Sequence, residues 1–179
     1  MADTIPPEQR SWLMSRIRSG DTQPEKVVRS TLHRLGFRFS LHAKHLPGRP
    51  DVVLRKWKCV VFVHGCFWHR HPGCPVATTP KSRTAFWTEK FERNVARDSS
   101  VKARLEALGW RVVTVWGCET KDPLALATRL FAEITAGRPD APGGDYPEPA
   151  PETFLRVAEE VARYGRDLAR HRRGHWPDG

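Results

Sequence analysis

Long apolar runs are what this 179-residue sequence most plainly lacks. None approaches the ~20 consecutive apolar residues that cross a bilayer, which argues against a membrane span. The opening Met-Ala-Asp-Thr-Ile-Pro-Pro has no basic segment leading into an apolar one, as a secretory signal would, so the protein is expected in the cytoplasm. Cysteine is sparse, with four residues in all. In a cytosolic chain so few thiols speak against a disulfide framework and for metal binding or inert burial. Internal repeats are absent. Acids are in deficit too: 20 Asp+Glu face 30 Lys+Arg, a net charge of +10.

That excess is uneven. Residues 1–137 hold 23 basic and 12 acidic side chains (net +11), and residues 138–179 hold 7 and 8 (net −1). Positive charge concentrated this way suits a polyphosphate partner, bound more weakly as salt rises. Residues 138–151 include five prolines and two glycines, a linker composition. Three parts are therefore expected: a domain over 1–137, a linker over 138–151 and a helical tail over 152–179. In the tail, Phe154, Leu155, Ala158, Val161, Ala162 and Leu168 fall roughly on one side of a helix. Composition leaves open whether it docks or hangs free.

Along the domain, a polar helix over Glu8–Arg18 would turn Trp12, Leu13 and Ile17 inward, with Met14 among its arginines. Thr22-x-x-Glu25 has the spacing of a capping box, opening a helix that Val28, Leu32 and Leu35 would bury and Gly36 would end. Capping alone is a sufficient role for Glu25. Phe37–Leu41 alternates as a half-exposed strand, and Asp51–Leu54 reads as a short buried one. Cys59–Val63 is the near-continuous apolar run of a central strand, with Cys59 a small buried hydrophobe and His64 emerging at its end. After a polar loop over Gly65–Lys81 comes a helix over Thr84–Leu108, with a weak point at Asp98-Ser99-Ser100. Then follow a strand over Trp110–Trp116 and a helix over Leu124–Ala136. Phe86 and Trp110 are expected in the core. The fold class is α/β (or α+β): helices layered on a small mixed sheet.

Two constellations carry chemistry. Cys66-x4-His71-x2-Cys74 offers three ligands in one loop, and Cys118 follows a later strand. Three thiolates and an imidazole suit a closed structural zinc site, although His69 could stand in for His71. The second is Pro50-Asp51 followed by two strands. It resembles the Pro-Asp…(Asp/Glu)-x-Lys arrangement of restriction-type nucleases, whose carboxylates hold a divalent metal against the scissile phosphate. Here Phe62 stands in place of the second acid and His64 in place of the lysine.

Taken together, Met14, Thr22-x-x-Glu25-Lys26, Leu46-Pro-Gly-Arg-Pro-Asp51, His64-Gly-Cys-Phe-Trp-His69, Arg83-Thr-x-Phe-Trp87 and Gly109-Trp-Arg-Val resemble the very-short-patch mismatch repair endonucleases. The resemblance spans about residues 8 to 120. It implies a monomeric, restriction-endonuclease-like fold with a zinc-stapled loop, associated with the nucleoid. The implied activity is nicking of double-stranded DNA on the 5′ side of thymine in a T:G mismatch, where 5-methylcytosine has deaminated. By the same resemblance Asp51 binds magnesium together with the carbonyl of Val63. His69 is the general base, supported by Glu25 and His64, and an imidazole suits proton abstraction near neutral pH. Cys66, His71, Cys74 and Cys118 hold structural zinc. Phe67, Trp68 and Trp87 wedge into the duplex beside the mismatch, with Met14 entering from the other groove; Lys90 and Asn94 face the mismatched bases. Other mismatch-repair proteins are the further partners it suggests.

Two rival readings stand beside this one, the first of them prompted by the missing acid. One is a zinc-stabilised DNA-binding module without catalysis, and the other is a restriction-type nuclease acting on paired DNA.

Overall fold

The computed structural model describes residues 20–136 and 149–173, with side chains described to residue 170. The helix expected over Glu8–Arg18, and Met14 with it, lies outside these residues. Helix α1 (Gln23–Arg34) starts as its sequence dictates: Glu25 N donates to Thr22 Oγ1, and Thr22 N donates to Glu25 Oε1, each at 3.4 Å. This reciprocal pair satisfies backbone donors that a helix start otherwise leaves open.

At the far end Gly36 adopts φ +86°, where a side chain would be strained, and Phe37 N donates back to Leu32 O at 3.0 Å. The turn drops Phe37 into the core, fully buried and edge-on to Trp57 at 5.7 Å. The strand expected over Phe37–Leu41 is consequently only β1, Ser40–Leu41. Burying an aromatic ring outweighs three residues of edge pairing.

Strands β2 (Val52–Leu54), β3 (Cys59–His64) and β4 (Arg111–Trp116) complete a sheet of order β1-β2-β3-β4. The first two pairings are antiparallel; β3 and β4 are parallel, with His64 opposite Trp116. Parallel neighbours need a long crossover, and helix α2 (Thr84–Ala107) supplies it, unbroken through Asp98–Ser100. Helix α3 (Pro123–Thr135) begins at Asp122, whose Oδ1 accepts from Ala125 N at 3.0 Å. Arg111 closes its other end, donating to the Glu133 and Ile134 carbonyls at 2.6 and 2.7 Å. Helix α4 (Pro151–Arg173) ends the described chain.

Alternation along the strands sorts the core into two layers. Val52, Leu54, Cys59, Val61, Val113 and Val115 face α1, α3 and α4, while Val53, Val60, Phe62 and Val112 face α2 through Val101, Leu105 and Trp110. Cys59 is wholly buried, and burial pushes its thiol up to about 11, which leaves it an inert hydrophobe. The C-terminal helix docks. Val157 and Val161 are buried in the first layer, and Phe154 meets Phe131 edge-on at 5.6 Å. No described helix is long and apolar enough to cross a membrane.

Candidate active site

Chemistry gathers where β3 and β4 end. Asp51 immediately precedes β2, and antiparallel pairing sets it beside Val63, whose N–H donates to Asp51 Oδ2 at 2.8 Å. The approach to Asp51 is fixed by Gly48, at φ +71°. A Cβ there would sit 2.4 Å from Val101 Cγ1 and 3.3 Å from Phe62 Cζ, so the turn closes onto α2 and β3 only as glycine. The same contact accounts for Phe62: its side chain belongs to the α2-facing core and leaves the acid position of restriction-type nucleases empty of charge. Burial raises the Asp51 carboxyl above the usual range; the Val63 N–H works against that shift and the Glu25 carboxylate with it. Its second oxygen has no hydrogen bond among the described residues. A half-buried carboxylate with one acceptor left open among the described residues is a fitting ligand for a hard divalent cation.

His64, the last residue of β3, stacks on His69 with ring centroids 3.9 Å apart and planes at 10°. His69 Nδ1 in turn meets Asp98 Oδ2 at 2.5 Å. Burial, reinforced by the neighbouring His69, holds His64 down at about 4, so it is neutral at physiological pH. An imidazole oriented through Nδ1 by a carboxylate presents Nε2 as a base, and a neutral stacked neighbour does not oppose the charge it gains. Asp98 was not among the residues singled out in the sequence. The signal was there: Trp87, Lys90, Asn94 and Asp98 recur at spacings of three and four, one stripe of α2.

Glu25 is placed apart from this stack. It accepts from Thr22 Oγ1 at 2.8 Å, Asp21 N at 2.9 Å and Arg29 Nη2 at 2.8 Å, and its carboxylate clusters with Asp21 and His42. The structure gives it no bond to His69 or His64. Its influence on the site is the field it exerts on Asp51.

Behind the stack, one ligand atom each from Cys66, His71, Cys74 and Cys118 lie within 4.8 Å of one another. His71 Nδ1 is 3.3 Å from Cys118 Sγ, and its ring stacks on Trp116 at 4.4 Å. His69 is engaged by Asp98, so of the two histidines His71 is the one the geometry brings to the thiols. Three sulfurs and one imidazole nitrogen fit a tetrahedral zinc site.

The remaining candidates form an aromatic platform at the start of α2. Phe67 meets Trp68 at 5.0 Å, Trp87 at 5.6 Å and the buried Phe91 at 5.2 Å, all edge-on. Lys90 Nζ lies over the rings of Trp68 and Trp87 at 5.2 and 5.6 Å, and Asn94 Nδ2 donates to Trp68 O at 3.1 Å. Phe86, expected in the core, is 39% exposed beside Trp87, because the first turns of α2 project beyond the sheet. Five of the six DNA-facing candidates thus share one surface, the sixth being Met14.

Residues 2–75 match the model of a protein family described as DNA mismatch endonuclease Vsr. Over 130 residues the chain is 53% identical to the type II nicking enzyme V.XorIIP of Xanthomonas oryzae pv. oryzae, a match covering 73% of this chain and 95% of that protein. It is 43% identical to the nicking enzyme V.NmeAIP of Neisseria meningitidis over 73% of this chain and 92% of the relative. With the DNA mismatch endonuclease Vsr of Escherichia coli it shares 46% identity, over 74% of this chain and 85% of the other. At 53% identity to a relative that it covers almost completely, the chain belongs to the Vsr family of DNA mismatch endonucleases.

Proposed function

We propose that this endonuclease nicks one strand of duplex DNA on the 5′ side of thymine in a T:G mismatch, the product of 5-methylcytosine deamination. The observation that carries the reading is the Asp98–His69–His64 stack standing at the same sheet edge as Asp51. Asp51 and the Val63 carbonyl would hold magnesium, and Cys66, His71, Cys74 and Cys118 would hold structural zinc. Magnesium supplies polarisation of the phosphate and stabilisation of the leaving oxygen.

The chain's own groups do the rest. His69 Nε2 takes a proton from the attacking water, while Asp98 holds the ring and balances the imidazolium. His64, neutral and stacked, fixes the ring's plane. Phe67, Trp68 and Trp87 wedge between base pairs, with Met14 entering opposite them and Lys90 and Asn94 facing the mispaired bases. Unstacking a mispaired step costs less than opening a Watson–Crick one, so the wedge itself selects. The enzyme acts as a monomer in the cytoplasm, at the nucleoid, with other mismatch-repair proteins as partners. The test is nicking of matched T:A and mismatched T:G duplexes with and without magnesium. A nick confined to T:G with magnesium supports the proposal; a double-strand cut on T:A overturns it.

A further inference from the structure

Helix α4 runs antiparallel to α1. Arg34 Nε donates to Glu160 Oε2 at 2.8 Å at the C-terminal end of α1, and five residues later the Gly165 carbonyl accepts from Gln23 Nε2 at 3.3 Å at its N-terminal end. That second end borders the active site. A Cβ on Gly117 would lie 3.7 Å from both the His64 carbonyl and Pro24 Cγ, so the start of α1 sits against the end of β3. From Gly165 the helix continues to Arg173, about two further turns.

Its charge is segregated along the same line. Residues 138–162 carry two arginines and six acids, whereas residues 163–173 carry five arginines and one aspartate. The near-zero net charge of the tail conceals this. Arg163, Arg166 and Arg170 recur at spacings of three and four, which puts them on one stripe, and all three are exposed. None forms an ion pair with another described residue. Of the acids before this stripe, Glu160 lies at the far end of α1, paired with Arg34.

We infer that the Arg163–Arg166–Arg170 stripe of α4 binds backbone phosphates of the duplex flanking the nicked site, a sequence-independent contact added to the mismatch-reading surface. The inference rests on this chain acting on duplex DNA. Guanidinium groups without an ion pair among the described residues, carried on a helix that packs against the start of α1, match a polyphosphate by charge and by bidentate geometry. Such contacts strengthen binding without reading bases.

The test uses the full-length protein and a fluorescent duplex containing one T:G pair, with affinity followed by anisotropy from about 50 to 200 mM salt without magnesium. Each phosphate contact contributes about 0.9 to the slope of log affinity against log salt. The triple variant R163Q/R166Q/R170Q should therefore show a slope shallower by roughly 2 to 3 and an affinity at least about tenfold lower at low salt. Its melting temperature should be unchanged, as should its nicking rate at saturating enzyme. The variant R163K/R166K/R170K should keep most of the slope. Wild-type slope and affinity in the glutamine variant overturn the inference, and so does an affinity loss that the lysine variant shares together with lowered melting. A wild-type protein that binds but does not nick T:G would overturn the proposed substrate instead, since the salt slope is read without catalysis.

Discussion

The two faces of the sheet are built to different ends. One is covered by α1, α3 and α4 and holds most of the buried side chains, from Val28 and Leu32 to Leu130 and Ile134. Among the described residues the other is covered by α2 and the Ala43–Leu46 loop, and holds a thin layer around Val60 and Leu105. His64 points to the thin side with Phe62, and Asp98, Asn94 and Lys90 come from α2 itself. A nuclease must leave room for a duplex, and the half-exposed aromatics of the thin face cannot be covered without losing that room. Stability is therefore concentrated behind the sheet and chemistry in front of it.

If this division holds, substitutions in front should remove activity from a folded protein, and substitutions behind should lower stability without changing the chemistry of the molecules that remain folded. The largest effect is expected for Asp51→Asn. Nicking should vanish, with melting temperature and matched-duplex affinity nearly unchanged, because an amide lacks the charge to hold a hard cation. Normal nicking would remove Asp51 from the mechanism. Next, His69→Ala should slow nicking by about 10²–10⁴-fold, the usual contribution of a general base, with zinc content unaltered. His71→Ala should instead lose zinc and fold stability together. Metal analysis and thermal melting of the two variants distinguish the neighbours, and the reverse pattern would exchange their roles.

Third, Phe67→Ala and Trp68→Ala should each erode the preference for T:G over T:A by about one to two factors of ten, since an aromatic–base stack is worth roughly 1–3 kcal/mol. General affinity should stay, as phosphate contacts set it. Paired nicking assays on the two duplexes decide the matter: full retained preference in both variants would make these rings mere packing. Smallest is the effect behind the sheet. Val157→Ala or Val161→Ala removes buried methyl groups and should lower stability by about 1–2 kcal/mol in chemical denaturation. The nicking rate per folded molecule should not change. A large loss of rate at full stability would show α4 to be part of the catalytic apparatus.

What could be read from the sequence divides along a similar line. Local signals were legible: the Thr22–Glu25 capping box, the apolar run of β3 and the Cys/His loop each depend on residues close together in the chain. Phe37 was not, because alternation predicts a strand while its fate was settled by the glycine before it and a ring pocket at Trp57. Asp98 was missed because it reads as a helix-weakening Asp-Ser-Ser, and only the distant His69 gives it a purpose. Glu25 was expected to support the base by resemblance; among the described residues its hydrogen bonds lie within the turn that it caps and with Arg29. The docking of α4 could not be foreseen, since an amphipathic stripe does not name the surface that will cover it.

Cys66, Phe67, Trp68, His69, His71 and Cys74 all belong to one short loop, held at one end by β3 and at the other by its meeting with Cys118. In the proposed mechanism, anchor, wedge and base therefore share a single point of failure. An oxidised thiol or a slipped anchor would displace the groups proposed to find the lesion and the group proposed to activate water in the same event. Damage of that kind yields a silent protein, not one that still cuts but no longer discriminates, and for an enzyme that breaks chromosomes the silent failure is the harmless one.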